Sequence, residues 1–236
     1  MKTSAPSPSS EYSIKADGFF LAFFKGQQDN ACYRNTVKLY PAKAVILKQG
    51  APANAVYLIE HGLVKFVTET QEEGYEIIID LRYSGWLIGA PTIFLNKPYN
   101  FKVIAVVPTL LHYISKKDFL DYMEKNEQFS WHVCQLLSKQ IVDQMKKIEA
   151  MRCLSTETRL LSLIADMIRE MEASESSMLD SFTLPLTNKE LAQLLVVTPE
   201  HLCRVLKKIE QKGLVRHGKG SRIVTDPSGL IQSVAA

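Results

Sequence analysis

Residues 198–208 bring a carboxylate, a guanidinium and two amines together on a short segment. Glu200 and Arg204 are four positions apart, a spacing that puts both side chains on one face of a helix. An arginine that donates two hydrogen bonds to guanine and a glutamate that accepts one from cytosine N4 are favoured pairings in the DNA major groove. The pattern therefore predicts a DNA-binding surface, with an ordinary surface ion pair as the alternative. The predicted DNA-binding residues are Thr198, Glu200, His201, Cys203, Arg204, Lys207, Lys189, Lys219 and Arg222.

Two short helices joined by a turn are predicted to position these residues. Thr187 and Glu190 form a capping box at the start of the first helix, and Thr198-Pro199 supplies the N-cap and first position of the second. Two helices joined by about three residues form a helix-turn-helix, whose second helix enters the major groove. The turn carries Val196, and because a β-branched residue resists positive φ, we expect a slightly altered turn.

A basic β-hairpin is predicted after the second helix. Residues 213–216 and 222–225 flank a turn that contains Lys219, and beside a helix-turn-helix such a hairpin indicates a wing near the DNA backbone. From Leu186 onward, Lys and Arg number eight and Asp and Glu number four, although the whole chain carries a net charge of only +3. This excess favours phosphate binding, and a solvated surface is the alternative reading of the charge.

The first half of the chain is predicted to be β-structure. Within residues 32–115, short apolar runs are separated by Gly, Pro and Asn, which is typical of a sandwich or barrel. A short helix is expected over Lys116 to Lys125, a long one from about Glu127 to Met151, and a third over Thr156 to Met171. Apolar positions of the long helix step by three and four, as in a coiled coil between two copies, although a core-facing helix gives a similar stripe. This predicted seam comprises Cys134, Leu137, Ile141, Gln144, Ile148 and Met151.

The predicted fold class is α+β: a cyclic-nucleotide-binding-like β-roll, a long dimerisation helix and a C-terminal winged helix-turn-helix. The expected boundaries are a flexible tail over 1–18, an effector-binding β-roll over 19–125, the dimerisation helix over 126–152 and the DNA-binding domain over 153–236.

Three sequence strings carry a resemblance to a known family. The string LPLTNKELAQLLVVTPEHLCRVLKKIEQKGLV, together with AVYLIEHGLVKF and GWLIGAP, resembles the CRP/FNR family of transcription regulators, and the likeness runs from about Phe19 to Leu230. The resemblance implies a homodimer that binds double-stranded DNA, contacts RNA polymerase and is switched between two states by a small-molecule effector. An activator and a repressor are both compatible with this sequence.

The effector site departs from the nucleotide-binding members of that family. Their Gly-Glu and Arg-Ser/Thr/Ala pairs correspond here to Gly89-Ala90 and Tyr99-Asn100. A cyclic phosphodiester in an apolar roll needs a paired cation, so we expect an effector other than cyclic AMP. The halogenated-phenol sensors are similar in lacking the nucleotide residues, although Ala90 and Gln140 stand where their lysines would align. An aromatic or halogenated organic effector is therefore expected, with plain core packing as the alternative. The predicted effector-binding residues are Trp86, Gly89, Ala90, Tyr99, Asn100, Lys102, Leu137, Gln140 and Gln144.

The resemblance also bears on the DNA sequence that is bound. Pro199 stands where the cyclic-AMP-receptor branch has an arginine, and Cys203 stands where Ser or Gly is usual. Glu200 and Arg204 match the family's pair at the core of the site. We therefore expect palindromes with TTGA-type half-sites.

Other functions find little support in the sequence. Cys32, Cys134, Cys153 and Cys203 have no metal-ligand spacing, and His61 and His112 are isolated, so we expect no metal, haem or other cofactor. A thiol switch at Cys32 or Cys203, or a ligand-independent regulator of the same fold, stays as the alternative. No phosphate-binding glycine loop, nucleophile elbow or zinc motif indicates an enzyme. Without an apolar span or leader, the chain is expected to be cytoplasmic and to make no membrane contact.

Overall fold

The computed structural model describes residues 23, 36–69, 75–175, 181–218 and 222–235. The predicted tail over 1–18, Cys32 and Lys219 lie outside these described residues. The chain divides into two compact units, with the boundary between Val142 and Asp143.

The first unit is built on eight described strands. They are β1 (Thr36–Tyr40), β2 (Val45–Leu47), β3 (Ala55–His61), β4 (Val64–Glu69), β5 (Glu76–Arg82), β6 (Leu87–Ile88), β7 (Lys102–Ala105) and β8 (Thr109–Ser115). The described strands form two four-stranded antiparallel sheets, in the orders β1-β8-β3-β6 and β2-β7-β4-β5. The predicted β-structure over 32–115 is thus confirmed where the chain is described, with one short helix, α1 (Ala90–Phe94), inserted after β6.

Two helices follow the strands and complete the core of this unit. Ser115 caps α2 (Lys116–Lys125) by accepting from the Asp118 N–H, and Asn126 accepts from the Phe129 N–H as α3 (Glu127–Cys153) begins. Phe119 and Phe129 are fully buried and meet edge to face, with ring centroids 5.8 Å apart. The same cluster contains strand residues such as Val56 and Leu58. The start of α3 is therefore part of the roll's own core.

The solvent-facing side of α3 differs from the seam predicted from sequence. Leu137 packs against the roll's core beside the buried positions Val133 and Leu136, and Gln144 is half-buried. The positions that face solvent and step by three and four define an exposed seam. It comprises Trp131, Cys134, Ser138, Ile141, Met145 and Ile148, and it keeps three residues of the predicted seam. In the single chain, Leu137 and Gln144 of the predicted seam are half-buried, Met151 is 43% exposed, and Met145, which the prediction did not include, is 65% exposed.

The second unit contains short helices and a small sheet beyond the end of α3. Its elements are α4 (Thr156–Glu175), β9 (Phe182–Thr183), α5 (Asn188–Leu195), α6 (Pro199–Gln211), β10 (Val215–His217), β11 (Arg222–Val224) and α7 (Pro227–Ala235). The described strands form an antiparallel sheet in the order β10-β11-β9. Leu160, Leu191, Leu206 and Leu230 are among the side chains that fill its core. The predicted helix-turn-helix and wing are confirmed as α5, α6 and the β10–β11 hairpin.

One residue of the turn between α5 and α6 has the left-handed backbone conformation, and that residue is a valine. Val196 has φ 54° and ψ 51°, and its N–H bonds back to the Ala192 and Gln193 carbonyls. The expected alteration of the turn is therefore wrong. The hydrogen bonds that end α5 hold a conformation that costs a β-branched residue about 1–2 kcal/mol.

We expect Val196→Gly to raise the free energy of unfolding by about 1 kcal/mol, because glycine removes the left-handed penalty. The Val196 side chain is 73% exposed, so little packing is lost. Urea denaturation of the full chain measures the change. Val197→Gly is the control: Val197 is outside the left-handed region, so this change should lower stability. Equal destabilisation by both changes would contradict the account of the turn.

Candidate DNA-binding surface and effector cavity

The second helix of the helix-turn-helix, α6, buries one face and exposes the other. The Thr198 side chain caps its start by accepting from the His201 N–H at 3.2 Å, and Pro199 occupies the first turn, where no N–H is needed. The buried face comprises Leu202, Val205, Leu206 and Ile209. The exposed face carries Glu200, Cys203, Arg204, Lys207 and Lys208. Local capping and an apolar stripe thus present the predicted DNA-binding residues to solvent.

Glu200 stays in the form that accepts hydrogen bonds. The pKa of Glu200 is lowered, first because its carboxylate accepts from its own backbone N–H and then from the Thr198 hydroxyl. The nearby positive charge of Arg204 lowers this pKa further. An ionised carboxylate at the start of α6 is the form that a cytosine N4 amine would meet.

His201 is turned toward the protein. Its Nε2 lies 3.1 Å from Thr156 Oγ1, at the start of α4, and the side chain is half-buried. Arg159 donates to the same Thr156 oxygen at 3.4 Å and to the Leu195 carbonyl oxygen at 2.9 Å. These bonds join the start of α4, the end of α5 and the start of α6. His201 thus holds the helix, whereas Glu200 and Arg204 are exposed.

The predicted phosphate-contacting cations have different surroundings. Lys189 and Lys207 are exposed on α5 and α6, and Lys219 lies outside the described residues. Arg222 forms an ion pair with Glu210, and its side chain is only 11% exposed, against 27% for that of Glu210. Arg222 therefore ties the wing to α6, and exposed Arg216 is the cation that β10 presents to solvent.

We expect Arg222→Ala to lower the free energy of unfolding by about 2 kcal/mol, because it leaves the partly buried Glu210 carboxylate without its partner. Arg216→Ala is the matched control and should change stability by less than about 0.5 kcal/mol. Thermal and urea unfolding of the full chain measure both. Equal stability of the two variants would show that the ion pair contributes nothing to the wing.

The first unit contains a cavity of about 480 Å³ beside β6 and α1. Its walls are largely apolar, with amides and one amine among them. The cavity is lined by Phe66, Trp86, Leu87, Ile88, Gly89, Pro91, Thr92, Leu95, Lys97, Pro98, Asn100, Phe101 and Gln140. Phe66 and Phe101 stack with ring centroids 4.4 Å apart, and Gln140 donates to the Leu87 carbonyl at 3.3 Å. The site can hold a small organic molecule.

Four of the nine predicted effector-binding residues line this cavity: Trp86, Gly89, Asn100 and Gln140. The structure places the other five elsewhere. Ala90 is fully buried, Leu137 packs against the core, and Lys102 Nζ pairs with Glu76 Oε1 at 2.5 Å. Gln144 belongs to the second unit, and the structure leaves Tyr99 outside the cavity lining.

The Tyr99 side chain fills the space beside Gly89. It is buried, donates its hydroxyl proton to the Ala55 carbonyl at 2.6 Å and accepts from the Ala55 N–H at 3.4 Å. Burial raises the pKa of Tyr99, so the hydroxyl stays a donor. Gly89 has φ +91°, and a Cβ there would lie 3.1 Å from the Tyr99 ring. The two residues are thus packed against each other.

Sequence reasoning missed Arg82, which stands behind the cavity wall. Its guanidinium carbon lies 4.0 Å from the Trp86 ring centroid and 5.3 Å from that of Phe66. Arg82 also pairs with Asp80 on the same strand. The only sequence signal for it is the charged pair Asp80 and Arg82 inside the otherwise apolar string IIIDLR.

The described residues contain no group of three or more His, Cys, Asp or Glu placed to hold a metal ion. In the same part of the chain, no helix combines the length and the apolar character that crossing a membrane requires.

Two family models match this chain, one in each of its two units. A family model described as "Cyclic nucleotide-binding domain" matches residues 37–126, and one described as "Crp-like helix-turn-helix domain" matches residues 158–233. The cAMP-activated global transcriptional regulator CRP of Pasteurella multocida (strain Pm70) is 23% identical over 182 residues, covering 76% of this chain and 86% of the relative. The CRP-like protein Clp of Xanthomonas euvesicatoria pv. vesicatoria (strain 85-10) is 24% identical over 191 residues, covering 78% and 81%.

Solved structures share the fold. The c-di-GMP responsive global regulator CLP of Xanthomonas campestris superposes with a TM-score of 0.64 and 21% identity, covering 88% of this chain and 98% of that one. FixK2 from Bradyrhizobium japonicum superposes with a TM-score of 0.65 and 15% identity, covering 86% and 98%. With both family models in the expected order over most of its length, the chain belongs to the CRP/FNR family of DNA-binding transcription regulators.

Proposed function

We propose that this regulator acts as a homodimer on palindromic DNA with TTGA-type half-sites and is switched by a small organic effector other than cyclic AMP. In this proposal the β-roll over 19–125 binds the effector, the helix over 126–152 pairs two copies, and residues 153–236 bind DNA. RNA polymerase is a further partner when the protein is bound at a promoter.

The observation that carries the effector proposal is the contact between Tyr99 and Gly89. The resemblance aligns Tyr99 with the arginine that holds the cyclic phosphate in nucleotide-binding members. Its hydroxyl is engaged by the Ala55 backbone, and the ring offers no positive charge to a phosphodiester. Ala90, at the position of the ribose-binding carboxylate, is fully buried. Both groups that a cyclic nucleotide requires are therefore replaced by apolar packing.

The cavity lining favours a small organic ligand with an aromatic part. Trp86, Phe66 and Phe101 supply three rings, and Asn100 and Gln140 supply amides that can fix an orientation. Lys97, exposed at the cavity, can meet a negative group on the ligand.

The exposed seam of α3 supports the homodimer. Ile141 and Met145 are 62% and 65% exposed in the single chain, and large apolar side chains at coiled-coil spacing are normally covered by a partner helix. A second copy with the same seam, related by two-fold symmetry, would cover both sets. Two copies of α6 would then meet two half-sites about one turn of DNA apart.

The test is DNA binding by fluorescence anisotropy on a TTGA-type palindrome. The titration is repeated with cyclic AMP, with a panel of aromatic and halogenated organic acids and phenols, and with reductant or oxidant. We expect an organic effector to raise DNA affinity by about tenfold or more, which corresponds to about 1.4 kcal/mol of coupling. Cyclic AMP should leave the affinity unchanged.

Two outcomes would overturn the proposal. A tenfold response to cyclic AMP would contradict the role given to Tyr99. A response to oxidant alone, lost in Cys203→Ser, would replace effector sensing by a thiol switch on the exposed face of α6.

A further inference from the structure

Arg82 is a buried cation that touches the effector cavity only through aromatic rings. It is the last residue of β5, its side chain is 8% exposed, and it is absent from the cavity lining. Trp86 and Phe66, the two rings beneath its guanidinium group, both line the cavity. A ligand in the cavity would therefore meet the rings and not the guanidinium group.

The charge of Arg82 is balanced within the protein. Its Nη1 pairs with the Asp80 carboxylate and donates to the Leu81 carbonyl oxygen at 3.0 Å. An arginine held for a ligand phosphate would point its nitrogen donors at the ligand site. Arg82 instead directs this donor into its own strand, and its guanidinium carbon lies 4.0 Å from the Trp86 ring centroid. A guanidinium group can stack on an aromatic ring in a way that the ammonium group of lysine cannot reproduce.

Covering one face of Trp86 has two physical consequences. The indole is held in one orientation, so only its opposite face and its edges remain for the cavity. The cation also draws electron density toward itself, which makes the uncovered face less negative. An electron-rich ring then stacks on that face better than it would on a free indole, and a saturated ring gains nothing from the effect.

We propose that Arg82 is a positioning residue that makes Trp86 a stacking platform and thereby selects a planar, electron-rich aromatic acid as the ligand of this cavity. The inference rests on the proposed function, because it assumes that the effector occupies this cavity. It goes further by naming the ligand class and the residue, remote from the ligand, that determines it.

The chain has two tryptophans, Trp86 and Trp131, which makes a direct test possible. In full-length Trp131→Phe protein, all indole emission comes from Trp86. The probe is 4-hydroxybenzoate, and its matched control is trans-4-hydroxycyclohexanecarboxylate, which has the same charge and hydroxyl group but no flat ring. Quenching of Trp86 gives the affinity of the aromatic acid, and displacement of that acid gives the affinity of the saturated one.

We expect the aromatic acid to bind about threefold to tenfold more tightly than the saturated acid, the range that aromatic stacking supplies. Arg82→Met should lower this ratio, because the free indole stacks less well on an electron-rich ring, and Arg82→Lys should restore only part of the loss. A residue with a purely structural role would change stability and leave the ratio intact. Because Arg82→Met removes an ion-pair partner of the Asp80 carboxylate, the double variant Asp80→Asn/Arg82→Met tests the same ratio without that broken ion pair.

The outcomes separate this inference from the proposed function. Failure of 4-hydroxybenzoate to quench Trp86, an equal affinity for the two acids, or an unchanged ratio in the double variant would overturn the role of Arg82. The DNA titration with the wider panel would still stand on its own result. If the ratio responds to Arg82 but DNA affinity never responds to any small molecule, the ligand class is upheld and effector control of DNA binding is refuted.

Discussion

Replacement of Arg204 by alanine should cost about 1–3 kcal/mol of DNA-binding free energy at each half-site and remove the preference for the core G·C pair. Arg204 is exposed on α6, one turn beyond Glu200, and nothing in the fold of α6 depends on its side chain because the buried face lies opposite. Loss of a bidentate contact to guanine therefore appears as lost discrimination. Fluorescence anisotropy on the TTGA-type palindrome and on every single-base substitution of it measures the effect.

Lys207→Ala is the matched control on the same exposed face. A lysine that contacts phosphate raises affinity about equally for every DNA sequence. Its removal should therefore lower affinity about uniformly and reduce the slope of log affinity against log salt by about one for each contact. Retention of the core G·C preference in Arg204→Ala would refute the assignment of Arg204. A sequence-dependent loss in Lys207→Ala would exchange the roles of the two residues.

The double variant Ile141→Glu/Met145→Glu should be monomeric and should lose high-affinity binding to the palindrome. In a dimer these positions of the exposed seam would be covered by the same residues of the second copy. Covering unpaired carboxylates costs several kcal/mol, and like charges would face each other across the seam. Analytical ultracentrifugation gives the oligomeric state, and anisotropy on one and two half-sites gives the change in binding.

Lys139→Glu serves as the control because Lys139 is exposed on the same helix but lies off the exposed seam. It alters the charge of α3 without placing a carboxylate between two copies, so the dimer should persist. A dimer that survives both seam changes would show that another surface holds the two copies together. Monomers in both variants would mean that net charge, and not the seam, controls association.

The helix-turn-helix is the part of the fold that sequence determines most directly. Its signals are local: Thr187 and Glu190 are three residues apart and form both capping bonds, and Thr198 caps α6. The turn could be located, but its conformation could not be predicted, because the propensity of Val196 alone disfavours positive φ. The hydrogen bonds that end α5 and the packing of α5 against α6 override that propensity.

The periodicity of α3 predicted an apolar stripe but not which neighbour covers each side of it. Steps of three and four fit both a core-facing stripe and a dimer seam, and the two stripes lie side by side on this helix. Leu137 is turned to the roll and Met145 to solvent by the way the first turns of α3 pack on Phe119. That packing joins residues from separate elements, so no short window of sequence contains it.

The effector cavity depends still more on distant contacts. Tyr99 bonds to Ala55, 44 positions earlier, and Gln140 bonds to Leu87, 53 positions earlier. Aromatic content suggested Trp86, which lines the cavity, whereas the position of Arg82 over its ring arises from the path of the chain between β5 and β6. Residue type therefore predicted candidates, and only the fold separated lining residues from packing residues.

If α6 contacts DNA as proposed, the bond from His201 to Thr156 limits how many base pairs of each half-site can be distinguished. Pro199 has no N–H donor and His201 contacts α4, so Glu200, Cys203 and Arg204 are the residues near the start of α6 that would remain to contact bases. Few base pairs would then be distinguished by direct contacts. A DNA sequence defined by so few base pairs occurs by chance at many positions in a chromosome. In the proposed dimer, the rest of the selectivity would have to come from the pairing of half-sites, their separation and the ease with which the intervening DNA bends.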